Sequence, residues 1–310
     1  MPGQSTTTDF VFSEVQRHNS GRLTLLSDYW ALTKPEVNFL VLITTLAGFY
    51  LGSATEGHPF SFAGLFSTLF GTLLVASGTG TLNQHLERKF DAQMRRTARR
   101  PVAAGRVNPA SALVFGVALA VAGSIYLATA VNLLASVLAT LTSLTYLFVY
   151  TPLKRRTPGC TLVGAFPGAM PPLIGWAAAS GNLSGEAWIL YSLLFLWQFP
   201  HFMAIAWMYR EDYDRAGYLV LPHEGSVRAR FVNCQTLLPL LAMAPLSLLP
   251  GLAAGSRTFY WIGALFLNLG FLYYGTQFVW NKSGSTARRL LAASILYLPF
   301  LFVLIVFPRG

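Results

Sequence analysis

The chain has 310 residues, of which 54% are apolar and only 11% charged, and its formal net charge is +10. A water-soluble domain is excluded, because the apolar residues gather in long runs that no globular core of this size would bury. Residues 1–34 are polar, include Asp9, Glu14 and Asp28, and lack the apolar core of a signal peptide, so they are expected to lie in the cytoplasm.

No linker rich in Ser, Gly or Pro divides residues 35–310, which read as one membrane domain. A helix needs about 20 apolar residues to cross a hydrocarbon core of roughly 30 Å. Such runs recur near residues 36–53, 60–82, 110–128, 131–150, 160–179, 187–208, 231–250, 258–279 and 290–307. The pattern predicts an all-α, polytopic membrane protein with nine transmembrane helices. The fifth run, CTLVGAFPGAMPPLIGWAAA, carries three prolines and is expected to be kinked or broken and packed inside the bundle. With the N-terminus in the cytoplasm, 20 of the 22 Lys and Arg fall on the inner side, leaving Arg257 and Arg309 outside. That asymmetry supports nine spans with the C-terminus outside, and it explains the net charge by topology and anionic lipid without a nucleic-acid partner. Cys160 and Cys234 stand alone, with spacing for neither a disulfide framework nor a zinc site.

Two acidic clusters begin where the second and sixth spans leave the membrane: NQHLERKFDAQMRRTARRP and MYREDYDRAGYLVLP. In the first, Asn83, Glu87 and Asp91 stand at i, i+4 and i+8, which puts three oxygen donors on one helical face. Hard cations such as Mg²⁺ take oxygen ligands and share them with substrate phosphate, so this row suits a metal–diphosphate complex. It also suits a helix that leaves the bilayer with a solvated polar face. His85 falls on the opposite side. Arg95, Arg96, Arg99 and Arg100 follow and offer charge to a diphosphate, while Glu211, Asp212 and Asp214 form a second acidic group on the same side of the membrane. Between the clusters, YTPLKRRTP closes the fourth span: Tyr150 and Thr151 offer hydroxyls, and Lys154, Arg155 and Arg156 offer donors to phosphate oxygens.

These segments carry a resemblance. NQHLERKFDAQMRRTARRPVAAGR is similar to the first metal–diphosphate motif of the UbiA-type intramembrane prenyltransferases, in the form its haem-farnesylating members use. YTPLKRRTP with GAFPGAMPPLIGWAAASG, and FLWQFPHFMAIAWMYREDYDRAGYLVLP, resemble the later signatures, so the likeness runs in order from the first span to residue 222. The last three spans match mainly in hydropathy. The wider family prefers aspartate where Glu87 stands, and many haem-farnesylating members carry an acid where Lys89 stands.

The resemblance implies a nine-helix bundle around a cytoplasm-facing cavity, making residues 35–310 a single prenyltransferase domain that transfers farnesyl from farnesyl diphosphate to protohaem IX (haem B). It implies that Asn83, Glu87 and Asp91 bind Mg²⁺, with Asp212, aided by Glu211 or Asp214, at a second metal, and that Arg95, Arg96, Lys154, Arg155 and Tyr150 bind diphosphate. The expected surroundings are the lipid bilayer of a bacterial inner membrane, with a haem A synthase as recipient of the product. His201, inside WQFPHF, has two readings: a contact to haem, or a histidine filling the gap that Pro200 leaves in the helix ladder. Two other functions share parts of the pattern, a related prenyltransferase acting on an aromatic or chlorin acceptor and a secondary transporter.

Overall fold

The computed structural model describes residues 24–55, 59–223, 225–250 and 258–306. Most of the polar N-terminal segment, with Asp9 and Glu14, and the two outer arginines, Arg257 and Arg309, therefore lie outside the described residues. The described residues form helices and turns without strands: α1 (24–32), α2 (Pro35–Thr55), α3 (Phe62–Asp91), α4 (Pro109–Ala130), α5 (Leu133–Leu144), α6 (Cys160–Gly168), α7 (Pro171–Ser180), α8 (Gly185–Met208), α9 (Arg210–Arg215), α10 (Gly225–Leu246), α11 (Thr258–Trp280) and α12 (Gly284–Val306).

Eight of the nine expected spans are helical segments long and apolar enough to cross a membrane. The seventh is present as the 22-residue α10 but is less apolar, because Arg228, Arg230, Asn233 and Gln235 occupy its first turns. The fifth is broken as the prolines predict, into α6 and α7 around Ala169 and Met170. Its second half is the most enclosed piece of the bundle, with Leu173, Trp176 and Ala177 fully buried. Large apolar side chains point outward elsewhere, among them Phe62, Phe66, Val114, Phe266 and Trp280, a surface that only lipid would cover.

Helices α2 to α7 pack as one group and α8, α10, α11 and α12 as a second. The groups join where α6 and α7 meet α8 and where α12 meets α2. Within the first group backbones approach closely: a Cβ on Gly78 of α3 would collide with the main chain of Gly116 and Ala120 on α4, and one on Gly48 of α2 with the main chain of Pro172 on α7.

Two local features position the site. Helix α3 begins at Ser61, whose hydroxyl accepts from Gly64 N at 3.0 Å, and runs for 30 residues with no charged side chain before Glu87. At 1.5 Å per residue it is about 45 Å long, so it outreaches the hydrocarbon and delivers its polar end beyond it. The second feature is in the fourth span, where the helical ladder widens to a π segment at Thr145–Tyr150 ahead of Pro152. Proline has no N–H to continue the ladder. Thr151 Oγ1 donates to Tyr146 O at 2.8 Å, and beyond the widened turn Thr151 meets Asn83 of α3 while the Tyr146 and Tyr150 rings lie beside Lys154.

Candidate active site

Asn83, Glu87 and Asp91 do share one face of α3, and that face is turned inward: the three residues are 1%, 5% and 1% exposed. They are not a solvated helix end. Burying carboxylates is costly unless each is paired, and here a different stretch of chain supplies a cation to each ligand. Lys34, in the turn before α2, donates from Nζ to Asn83 Oδ1 at 2.7 Å. Lys154, just past the fourth span, donates to Glu87 Oε1 at 2.8 Å. Arg100, in the loop after α3, reaches both Asp91 oxygens at 2.9 and 2.8 Å. Thr151 closes the row by accepting from Asn83 Nδ2 at 3.3 Å.

The cluster holds three cations against two carboxylates, and its electrostatics follow from that excess. Burial, with Arg100 and Lys154 nearby, pushes the Lys34 ammonium down to about 7. Burial also works against Lys154, but Tyr150, Glu87 and Tyr146 outweigh it and hold its pKa well above the ordinary lysine range. Its ammonium lies 4.6 Å from the centre of the Tyr150 ring, a cation–π contact added to the ion pair.

The other expected residues are less uniform. Arg155 stacks on Phe90 at 4.3 Å, and Arg96 lies over Tyr209 at 5.1 Å with a 3.5 Å contact to the Tyr213 hydroxyl. Arg95 is exposed, so in the arginine run Arg100 is the member that meets the ligand face. On α9, Asp212 is mostly buried and pairs with Arg215 at 3.1 Å, Asp214 is drawn to Arg228 at 3.5 Å and His223 at 3.8 Å, and Glu211 points to solvent beside Arg210. Among the described residues no three His, Cys, Asp or Glu side chains converge as a ready metal site. The donor set is therefore Glu87, Asp91 and the amide oxygen of Asn83. It fits a hard divalent cation that takes its remaining oxygens from a substrate such as diphosphate. His85 faces away, with Nδ1 2.8 Å from Pro109 O.

The α9 segment nevertheless touches the same end of α3. Met94, Ala216 and Tyr218 form a small apolar cluster with Phe90 and Tyr213, and Leu219 N donates to Lys154 O at 2.7 Å. Lys34 and Tyr218 are neighbours of this row that the sequence reading does not single out, whereas Thr151 is one of the two hydroxyls it names. Lys34 offers one signal, a lone lysine directly ahead of a span, but it counts equally as a topological charge.

The sequence profile of the UbiA prenyltransferase family matches residues 41–304. The chain belongs to that family. It is 45% identical to the protoheme IX farnesyltransferase of Solibacter usitatus, over 92% of this chain and 99% of that protein. It is 43% identical to the protein of the same name from Salinibacter ruber, over 91% and 98%. In fold it resembles a digeranylgeranylglyceryl phosphate synthase, with a TM-score of 0.73 over 92% of this chain and 98% of that one at 17% identity. It also resembles a UbiA homologue from Archaeoglobus fulgidus bound to GPP and Mg²⁺, with a TM-score of 0.57 over 90% and 99% at 15% identity.

A second polar constellation of this UbiA member lies in α8. His201 Nδ1 is 2.8 Å from Ser294 Oγ on α12, and Ser294 Oγ donates to Leu291 O at 2.6 Å. A hydroxyl has one proton, so Ser294 must accept from His201, which places the imidazole proton on Nδ1 and leaves Nε2 with its lone pair. Trp197 fixes the pair from the same helix: its Nε1 donates to Ser294 O at 2.8 Å and its ring stacks on His201 at 4.6 Å.

Proposed function

We propose that this protein transfers the farnesyl group of farnesyl diphosphate to a vinyl group of protohaem IX, with addition of water, to give haem O and diphosphate. The observation that carries the reading is the likeness, at 40–45% identity over nine-tenths of the chain, to proteins named protoheme IX farnesyltransferase. In the reaction the allylic C–O bond breaks and its electron pair leaves with the diphosphate. The vinyl group attacks the farnesyl carbon, and water adds beside the porphyrin ring and loses a proton.

The diphosphate must be stabilised as it leaves, and Mg²⁺ held by Asn83, Glu87 and Asp91, with Asp212 serving a second ion, would supply that charge. Lys34, Lys154 and Arg100 stand within hydrogen-bond distance of those ligands and are placed to take diphosphate oxygens, with Tyr150 supporting Lys154. Arg155 on Phe90 and Arg96 on Tyr209 would add further charge for the diphosphate. Apolar helices keep water from the allylic cation. For haem we assign His201, whose Nε2 lone pair suits iron or an orienting contact.

On this reading residues 35–310 act as one membrane domain, the α3 end of the bundle faces the cytoplasm of a bacterial cell with residues 1–34, and a haem A synthase receives the product. Purified protein in nanodiscs with Mg²⁺, haem B and farnesyl diphosphate should yield haem O by mass, and chelation of Mg²⁺ should stop it. No haem O from active preparations, with prenylation of a hydroxybenzoate instead, would overturn the acceptor. Cysteines placed at Arg99 and Arg228 should resist an impermeant reagent in intact cells; rapid labelling of either would reverse the orientation.

A further inference from the structure

Tyr218 follows the acids of α9 by four residues, inside the third signature segment, and its spacing gives it no role there. Its side chain is 3% exposed. The ring is clamped by Phe90 of α3 at 5.8 Å and by Tyr213 at 6.1 Å. The backbone is pinned on both sides, with Tyr218 N donating to Tyr213 O at 2.9 Å and Leu219 N to Lys154 O at 2.7 Å. The turn that sends the side chain inward passes through Gly217 at φ +69, a conformation that glycine adopts without strain. Everything about the residue is fixed except its polar atom. The hydroxyl is buried and turned toward the Glu87 carboxylate, a weak contact short of a hydrogen bond of ordinary geometry, with Asp91 and Lys154 in range.

A buried hydroxyl without a partner forgoes a hydrogen bond and its hydration at once, and native proteins rarely tolerate this without a use. Packing alone would be served equally by phenylalanine, which fits the same ring clamp. Glu87 already receives Lys154 on Oε1. The hydroxyl is thus a neutral donor held beside Glu87 at the edge of the carboxylate row, where an incoming anion would give it the full hydrogen bond it does not make there. We propose that Tyr218 is a diphosphate-binding residue whose hydroxyl donates to an oxygen of the leaving group. This rests on the prenyl transfer proposed above.

The test is Tyr218→Phe in the full-length protein, with Tyr126→Phe as control, since the Tyr126 hydroxyl meets Ser67 in another part of the bundle. Because the ring is kept, the thermal midpoint should stay within a degree or two. The KM for farnesyl diphosphate and the inhibition constant of inorganic diphosphate should both rise about 10- to 100-fold, the effect of one hydrogen bond to a charged acceptor. The KM for haem B should not move. Unchanged inhibition by inorganic diphosphate would overturn the assignment, and so would an equal loss of haem and diphosphate affinity. Failure of the wild type to make any prenylated product would instead sink the reading of function, so the two failures are distinguishable.

Discussion

Two acidic groups stand at the same end of the bundle, at the close of α3 and on α9, and in the sequence each has three polar ligands and arginines nearby. Folded, they differ. The α3 group is buried and each of its members meets one cation at 2.7–2.9 Å, each cation from a separate stretch of chain. The α9 group leaves Glu211 and Asp214 exposed, with contacts of 3.5–3.8 Å to residues on its own side. Charge kept out of water at a folding cost is charge held for a task, whereas solvated charge satisfies the membrane edge alone. Asp212, mostly buried and close to Arg215, is the one member of the second group that shares the character of the first.

The comparison can be broken most sharply at Asp91. On the proposed function Asp91→Asn would remove a hard ligand, and it leaves Arg100 facing a neutral amide; haem O formation should fall by roughly two to four orders of magnitude while haem binding by absorbance persists. Near wild-type turnover would mean that the buried group is structural. Next is Lys154→Gln, expected to raise the KM for farnesyl diphosphate about 10- to 100-fold and to lower the thermal midpoint, because Glu87 keeps its burial and loses its cation. Arg155→Gln, whose guanidinium rests on Phe90, should cost distinctly less. On α9, Asp212→Asn should slow turnover about tenfold and shift the Mg²⁺ dependence to higher concentration, while Glu211→Gln stays within about twofold. Equal effects from the two would erase the distinction drawn within that group. The smallest change is expected from His85→Ala, on the far face of α3, which should keep activity within about twofold.

Much of this architecture is legible in the sequence because bilayers impose one simple demand, a long apolar run, and eight segments meet it outright. The remaining one, the seventh span, is blurred by Arg228 and Arg230, which the helix carries in its first turns. The break in the fifth span is legible because Pro167, Pro171 and Pro172 cannot continue a ladder. The ligand face is legible too, as a spacing. What spacing cannot reveal is which cation meets which ligand: Lys34 and Asn83 are 49 residues apart, and Lys154 and Glu87 are 67 apart. Those pairings are set by the packing of whole helices. The π segment that aims Tyr150 and Thr151 is likewise a response to Pro152 within a packed bundle, and Tyr218 meets Phe90 of α3 after the turn at Gly217.

The surplus of positive charge around Glu87 and Asp91, one unit while Lys34 is protonated, has a consequence for the order in which ligands arrive. A bare divalent ion approaching Lys34, Lys154 and Arg100 is repelled and would have to displace existing ion pairs, whereas an anion is drawn toward the same three groups. On the proposed function the metal would then be admitted together with diphosphate or after it, and not well ahead of it. Calorimetry should show almost no heat for Mg²⁺ alone and a clear binding isotherm once inorganic diphosphate is present. Such ordering would keep the carboxylates closed against stray cations between turnovers, so that the ionising machinery is assembled only around a substrate already in place.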